Sequence, residues 1–412
     1  MELTIDRGAI AADLAAIAAC SDTPPPGVTR VVYGEADQRA RAYLRARCAE
    51  AGLQLREDGL GNLFARWPGA EPALPAVASG SHIDAIPHAG TFDGTVGVVG
   101  ALEAIRTLAR AGFRPRRSLE LLLFTAEEPT RFGIGCLGSR ALAGDLGPEQ
   151  LRALRDSAGR SLDELRAAAG FDGPLEAVRL EPGHYAAFVE LHIEQGPILE
   201  TEGLPIGVVR AIAAPATLRL RLRGQGGHAG AVLMLERQDA LLAGAEVALA
   251  VEQAALSTGS PNTVATTGVF QIAPGAVNAI PSAATLEIDV RDVAAEPRDH
   301  ALAAIKEAVE SICSRRRVAY ELEQLNADPP AACDPTVIEA IVTSCDQLGL
   351  ARQVMVSRAY HDSLFMARLC PTAMIFIPCR GGVSHRPDEH AELDHICQGV
   401  AVLAHTLARL SA

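Results

Sequence analysis

The sequence predicts an α/β protein, a three-layer domain interrupted by a smaller α+β domain built as a ferredoxin-like sandwich. Three observations predict it. Short apolar strands alternate with helical segments through the first half of the 412-residue chain, the pattern of a largely parallel sheet covered on both faces. The middle of the chain holds a strictly alternating strand, Thr217–Arg223, with Leu218, Leu220 and Leu222 on one face and Arg219, Arg221 and Arg223 on the other. Such alternation marks a half-exposed antiparallel strand. From Thr336 onward the first pattern returns.

In order along the chain, Asp37–Glu50 reads as an amphipathic helix and Leu60–Trp67 as a strand. Ala76–Ser81 is a strand ending in polar residues, Thr95–Ala111 a helix of small residues, and Leu119–Thr125 an apolar strand closed by Glu127 and Glu128. Further strands are expected at Ala187–Ile193 and Gly207–Ala213. After the alternating strand come a helix (Asp239–Ala254), two strands (Val264–Ile272 and Ala284–Val290), a helix (Pro297–Ser314) and a strand (Val318–Gln324). That β-α-β-β-α-β order is a one-sided sandwich. The expected domains are residues 1–209 and 330–412, together forming the catalytic domain, and an inserted domain at 210–329. The last part holds an apolar strand, Thr372–Pro378, and a closing helix, Asp394–Ala408. No internal repeat occurs, and no low-complexity linker beyond Pro24–Pro26.

Composition excludes several function classes. A net charge of −13 without a basic stripe argues against nucleic acid as the main partner. Arg315–Arg317 sits in a mixed-charge helix and reads as a solvated face. Apolar runs such as Ala240–Ala250 are about half the length of a bilayer span, so no membrane is expected. The nine cysteines show no C-x-x-C spacing, which suggests free thiols in a reducing compartment. With no basic and apolar leader at the N-terminus, the expected location is the cytoplasm. Lys306 is the only lysine, and it lies in a helical stretch among charged neighbours. Schiff-base, pyridoxal-phosphate and P-loop chemistry all need a placed lysine, so the chemistry falls to carboxylates, histidines and arginines. Gly224-Gln-Gly-Gly-His-Ala fits a dinucleotide fingerprint, but the preceding strand alternates with arginines and is no buried first strand of a nucleotide-binding unit.

The residues left to carry chemistry stand near strand ends. His82 and Asp84 form H-x-D after one strand, and Asp93 follows in Phe-Asp-Gly. Glu127 and Glu128 close the next strand, His192 lies in Leu-His-Ile-Glu-Gln, and His385 follows Gly-Gly-Val-Ser. Singly, each has a plain reading, a hydrogen-bonded core histidine or a helix-start glutamate pair. Jointly, at the strand ends of one α/β domain, they point to a metal site. Imidazole and carboxylate in this mix suit Zn2+, Mn2+ or related ions, and adjacent glutamates can divide metal binding from proton transfer.

Nearly the whole chain resembles the hydantoinase/carbamoylase branch of the di-metal aminoacylase and carboxypeptidase superfamily. The likeness rests on Gly80-Ser-His-Ile-Asp, Gly90-Thr-Phe-Asp-Gly, Glu127-Glu128, Glu190-Leu-His-Ile-Glu-Gln-Gly-Pro, Gly227-His-Ala-Gly, Asn278-Ala-Ile-Pro, Asp289-Val-Arg and Gly381-Gly-Val-Ser-His-Arg-Pro-Asp-Glu. It implies two divalent ions per subunit, Mn2+ or Zn2+, one held by His82, Asp93 and His192 and the other by Asp93, Glu128 and His385. It also implies Glu127 as general base acting on a metal-activated water, and Asp84 orienting His82. Arg291 and Asn278 would hold a substrate carboxylate and Gln195 the urea nitrogens. His228 would reach a partner subunit's site and stabilise the oxyanion, which calls for a homodimer; Tyr360 and His361 would lie near the substrate. Arg291 paired simply with Asp289 or Asp292, and Gln195 and Asn278 as turn residues, are the plain alternatives. Cys136 and Cys379 are expected to act as small hydrophobes.

Within the branch the likeness is to ureidoglycolate amidohydrolases, through the stretches Glu127–Arg140, Gly226–Met234 and Tyr360–Ala367. Leu235 departs from that pattern, standing where Pro is usual, and Arg380-Gly-Gly is closer to the carbamoylase form. The implied reaction is cleavage of a ureido C–N bond in a small carboxylate, ureidoglycolate, with N-carbamoyl-L-amino acids or allantoate as alternatives. A peptidase or aminoacylase, and a metal-free binding protein, are the competing classes; His192 and Gln195 argue against the first and Glu127 with its full donor set against the second.

Overall fold

The computed structural model describes residues 3–412, and the chain divides into two compact units. The first comprises the described residues up to Ala211 with Ala332–Met355 and His361–Ala412. The second comprises Ile212–Ala331 and Val356–Tyr360. The α/β class with a ferredoxin-like α+β insert is the architecture observed.

The first unit is built on a nine-stranded sheet. Its centre is a run of parallel neighbours in the order Thr372–Ile377, Tyr185–Ile193, Ala76–Ser81 and Leu119–Leu123. These strands are buried on both faces and are rich in Leu, Ile, Val and Ala, as doubly covered strands must be. The margins are antiparallel: Leu63–Trp67 and Gln54–Glu57 on one side, Ile206–Ile212 on the other. The sheet is therefore mixed where a largely parallel one was expected. The short loop between Glu57 and Leu63 can only return the chain antiparallel.

Helices Thr95–Arg110 and Leu393–Ser411 pack together over one face of the central strands. A core of Phe64, Leu122, Phe124, Phe188, Leu137 and Leu162 gathers alternate strand positions against the shorter helices Leu137–Ala143 and Leu162–Ala168. Because the central strands run parallel, their C-terminal ends share one edge of the sheet, where doubly wound folds gather chemistry.

Two arginines buttress that edge from inside, each 1% exposed. Arg30 donates from Nε to the Ile83 carbonyl at 2.6 Å and from Nη1 to the Ile17 and Cys20 carbonyls at 2.7 and 2.8 Å. Arg41 pairs with Asp37 one helical turn earlier at 3.0 Å, and donates to the Gly61 carbonyl and the Thr125 hydroxyl at 2.6 and 3.2 Å. Ile83 and Thr125 each lie one or two residues from a predicted site group.

The second unit is a four-stranded antiparallel sheet in the order Val264–Ala273, Ala283–Asp292, Ala214–Arg223 and Ala319–Ala327. Leu218, Leu220, Leu222, Leu286, Ile288 and Val290 form its inner face, closed by the helices Ala240–Ser257 and Ala295–Arg316. Among the described residues, Ala240–Ser257 is the one helix long and apolar enough to cross a membrane. Ala243, Val247, Val251 and Ala254 of its inner side are buried in the unit's core, as in a core helix. A two-residue ladder, Gly227–His228 against Ala279–Ile280, adds a small flap.

Replacing one member of a buried ion pair leaves the other desolvated and uncompensated. Arg41→Ala is expected to destabilise the first unit by about 3–5 kcal/mol, read as a lower midpoint for its unfolding in urea. An unchanged midpoint would remove Arg41 from its role as a support.

Candidate active site

The site is assembled from the ends of the parallel strands. His82 directly follows Ala76–Ser81, Glu127 and Glu128 follow Leu119–Leu123 by a short turn, His192 is the penultimate residue of Tyr185–Ile193, and His385 follows Thr372–Ile377. Asp93 comes from the loop before the Thr95–Arg110 helix. The structure brings these residues together in the first unit, along with Asp84, Gln195 and His361.

Asp93 faces two ways. Its Oδ1 lies 3.1 Å from His192 Nε2 and 3.7 Å from His82 Nε2, while its Oδ2 lies 3.2 Å from His385 Nε2. Glu128 Oε1 is also 3.2 Å from His385 Nε2. Two donor triplets result, His82–Asp93–His192 and Asp93–Glu128–His385, each with its ligand atoms within 4.8 Å of one another. Each carries imidazole nitrogen and carboxylate oxygen, a donor set that suits divalent metal ions of the zinc and manganese type.

The ring tautomers fit that use. The Nδ1 atoms of His82 and His192 face the main-chain carbonyls of Asp84 (3.1 Å) and Ile193 (2.9 Å), so each Nε2 is the nitrogen directed into the site, and it becomes a metal donor once its proton is displaced. The Asp84 carboxylate is used differently from expectation. It stands 3.6 Å from His82 Nδ1, and its oxygens accept the amides of Glu127 (3.2 Å) and Glu128 (2.9 Å). Asp84 thus orients His82 through its carbonyl and fixes the glutamate pair through its side chain.

Electrostatics follow from this crowding. Burial, joined by the carboxylates of Glu128, Asp362 and Asp84 and opposed by His82, raises Glu127 well above the usual carboxylate range. Asp93 moves the other way: against burial, hydrogen bonds from His192 and His385 hold it well below that range. Hydrogen bonds to Asp93 and Glu128 push His385 up to about 11. Burial and the neighbouring Glu190 push Asp362 up to about 8. The pocket holds an excess of acid that calls for positive charge.

Other groups do not all stand as expected. Gln195 donates from Nε2 to Asp93 Oδ2 at 2.7 Å, and its Oε1 is buried without a hydrogen-bond partner. The His361 ring lies 4.4 Å from that of His192. His228, Asn278, Arg291 and Tyr360 belong to the second unit. There His228 and Asn278 are neighbours on the small flap, Ala229 donating its amide to the Asn278 carbonyl at 2.9 Å. Arg291 spends its Nε and Nη2 on Asp289 at 2.7 and 3.2 Å, the plain alternative among the sequence readings, and its Nη1 reaches the Arg358 carbonyl at 3.4 Å.

Sequence reasoning missed several participants. The Cys136 thiol donates to Glu127 Oε1 at 3.3 Å, so it is more than a small hydrophobe. Ser384 Oγ lies 2.7 Å from Asp93 Oδ2, and Glu190 accepts from the hydroxyls of Ser81 (2.7 Å) and Ser363 (2.6 Å) beneath the site. Ser384 and Glu190 lie inside quoted motifs, which was the available signal. Of the seven non-glycine residues with positive φ among the described residues, Ala126, Cys136, Gln195 and His385 are at or beside the site, where backbone strain tends to gather.

Gly94 is the glycine the site depends on most. Its φ is +63°, and a Cβ there would lie 2.4 Å from His82 Nε2. Gly94→Ala is expected to displace His82 and lower bound metal to less than one ion per chain, measured by elemental analysis of the purified protein. Full metal content in that variant would contradict the arrangement.

Comparison with known proteins agrees with this geometry. A family model for peptidase family M20/M25/M40 matches residues 78–409. The chain is 51% identical to the ureidoglycolate hydrolase of Arabidopsis thaliana, covering 99% of this chain and 87% of that protein. It is 38% identical to an N-carbamoyl-L-amino acid amidohydrolase of Geobacillus stearothermophilus, over 94% of both chains. Among solved structures it is similar to AtUAH in complex with glyoxylate, with a TM-score of 0.89 and 51% identity over 99% of this chain and 98% of that one. An amidase of the hydantoinase/carbamoylase family from Burkholderia multivorans gives a TM-score of 0.90 at 32% identity, over 99% and 98%. The chain belongs to peptidase family M20/M25/M40 and is similar, along nearly its whole length, to amidases of the hydantoinase/carbamoylase family.

Proposed function

We propose that this amidohydrolase hydrolyses a ureido C–N bond of ureidoglycolate, releasing ammonia and a carbamate that loses CO2, the remaining carbinolamine giving glyoxylate and a second ammonia. The observation that carries the reaction is Asp93, whose two oxygens face separate donor triplets beside Glu127. The substrate is supported by the full-length likeness to a ureidoglycolate hydrolase. Gln195 adds support, since its unpartnered Oε1 is a ready acceptor for a urea N–H.

His82, Asp93 and His192 would hold one divalent ion, and Asp93, Glu128 and His385 a second, each Mn2+ or Zn2+. Bound there, such ions supply Lewis acidity toward a water and the substrate carbonyl. Glu127 takes the proton of the attacking water and delivers it to the leaving nitrogen, held meanwhile by the Cys136 thiol and, through its amide, by Asp84. The oxyanion is received by His228 of the partner subunit. The Gly230 amide donates to His228 Nδ1 at 3.1 Å, so the neutral ring carries its proton on Nε2 and offers it outward. Asn278 and Arg291 take the substrate carboxylate, which competes for the guanidinium with the 3.4 Å contact of Nη1 to the Arg358 carbonyl, and Tyr360 and His361 flank the substrate.

A homodimer is part of the reading. The strand Val264–Ala273 is a sheet edge that exposes Val264, Phe270 and Ile272. The helix Ala240–Ser257 exposes Leu242, Leu249 and Leu256, spaced by seven along one face. Both features call for cover. Nine free thiols fit a cytoplasmic setting.

Ammonia release by Mn2+-reconstituted protein from ureidoglycolate, allantoate and several N-carbamoyl-L-amino acids tests the substrate. A clear preference for ureidoglycolate, lost on chelation, is expected; a preference for a carbamoyl amino acid would overturn the substrate and leave the reaction class standing. In the same assay Glu127→Gln should fall about 10³-fold with metal retained, and substantial turnover would remove Glu127 as base.

Subunit mixing tests the dimer. Glu127→Gln and His228→Ala proteins, each inactive alone, should regain activity when co-folded, because a mixed dimer carries one site with both groups intact. No recovery, or a monomer by light scattering, would exclude action of His228 across subunits.

A further inference from the structure

We propose that Glu389 is a positioning residue for the candidate metal centre, its carboxylate tying the loop that carries Asp93 to the loop that carries His385. The proposal deepens the metal-dependent reading above and rests on it. Glu389 Oε1 accepts the amides of Phe92 at 2.8 Å and Asp93 at 3.1 Å. Its Oε2 accepts the Ser384 hydroxyl at 2.8 Å, and that hydroxyl lies 2.7 Å from Asp93 Oδ2. One carboxylate thus reaches the backbone of the residue facing both triplets and the side chain beside His385. The loops it joins are 297 residues apart in sequence. The Glu389 amide donates to the Arg386 carbonyl at 3.1 Å, closing a turn that starts just after His385.

Two further observations set Glu389 apart from an incidental buried acid. A Cβ on Gly90 would lie 2.3 Å from Glu389 Cβ, Cδ and Oε1, so a glycine stands where the side chain passes. Glu389 is 5% exposed, and among the described residues no arginine or lysine pairs with it. A desolvated carboxylate without a counter-cation is costly unless hydrogen bonds fill its oxygens. Here every bond to them comes from the two ligand-bearing loops, and none from the core helices.

The test is titration of the purified full chain with Mn2+, followed by the EPR signal of the free ion, with the thermal midpoint of the metal-free protein measured alongside. Glu389→Ala is expected to weaken Mn2+ binding by about 10–100-fold, the usual consequence of removing a partner of metal ligands. Glu389→Gln keeps an oxygen for the two amides and should recover most of that affinity. Glu103→Ala is the control: it removes a buried carboxylate bonded to Asp6, Thr107 and Arg110, outside the candidate centre, and should lower the midpoint while leaving Mn2+ affinity unchanged. Unaltered Mn2+ affinity in Glu389→Ala, or a loss matched by Glu103→Ala, overturns this proposal alone. An unaltered chain that takes up no Mn2+ overturns it together with the reading beneath it.

Discussion

The structure turns on one electrostatic constraint: Asp93, Glu127 and Glu128 are buried together, with Asp84, Glu190 and Asp362 close behind. Acids in such company cannot all ionise without cations. The fold supplies His82, His192 and His385 toward them, and the proton affinities divide accordingly, Asp93 driven down and Glu127 driven up. A pocket of this kind has a standing demand for positive charge, which imidazolium meets in part and divalent ions meet more fully. The acidic surplus is therefore the precondition of the chemistry, and much of the surrounding chain serves to keep it in place.

How it is kept explains features that would otherwise look like defects. Positive φ at Ala126, Cys136, Gln195 and His385 places each of these residues on a bend that no regular element could provide. The bends hold because rigid groups surround them. Asp84 takes the amides of both glutamates, Arg41 and Asn62 hold Thr125, and Arg30 holds Ile83 between His82 and Asp84. Local strain at a site persists only where neighbouring bonds over-determine it.

The architecture was legible in the sequence because period and strand-end position are local signals. Leu119–Leu123 is apolar throughout and buried throughout, and Thr217–Arg223 alternates and is buried on alternate residues. Of the antiparallel margins, Leu63–Trp67 and Ile206–Ile212 were legible as strands but not in their direction, and Gln54–Glu57 was not legible at all, since it is exposed along its length and carries no apolar pattern. Helix Arg7–Ala18 was also passed over, its apolar residues being spread around the helix rather than gathered on one stripe. At the site, ligand candidates could be named by residue type, but their partners could not. Nothing local distinguishes Cys136 bonded to Glu127 from a cysteine packed in a core, or Arg30 under the site from an arginine on the surface. Those identities are set by contacts between distant segments, which only the folded chain displays.

The division of labour between the two units bears on specificity. Every group facing Asp93 comes from the first unit, whereas the carboxylate-reading candidates Asn278 and Arg291 lie in the second. Ureido acids share the amide to be cleaved and differ in what lies beyond it. A chain can therefore keep one reaction while changing substrate through groups remote from the reacting bond, since discrimination depends on differential contacts with the variable part. On this view Arg291 is the more informative residue for substrate choice and Asp93 for reaction class. Arg291 is already engaged, its Nε and Nη2 with Asp289 and its Nη1 with the Arg358 carbonyl, so any carboxylate it read would have to compete with those bonds, the weakest geometry being the 3.4 Å contact of Nη1.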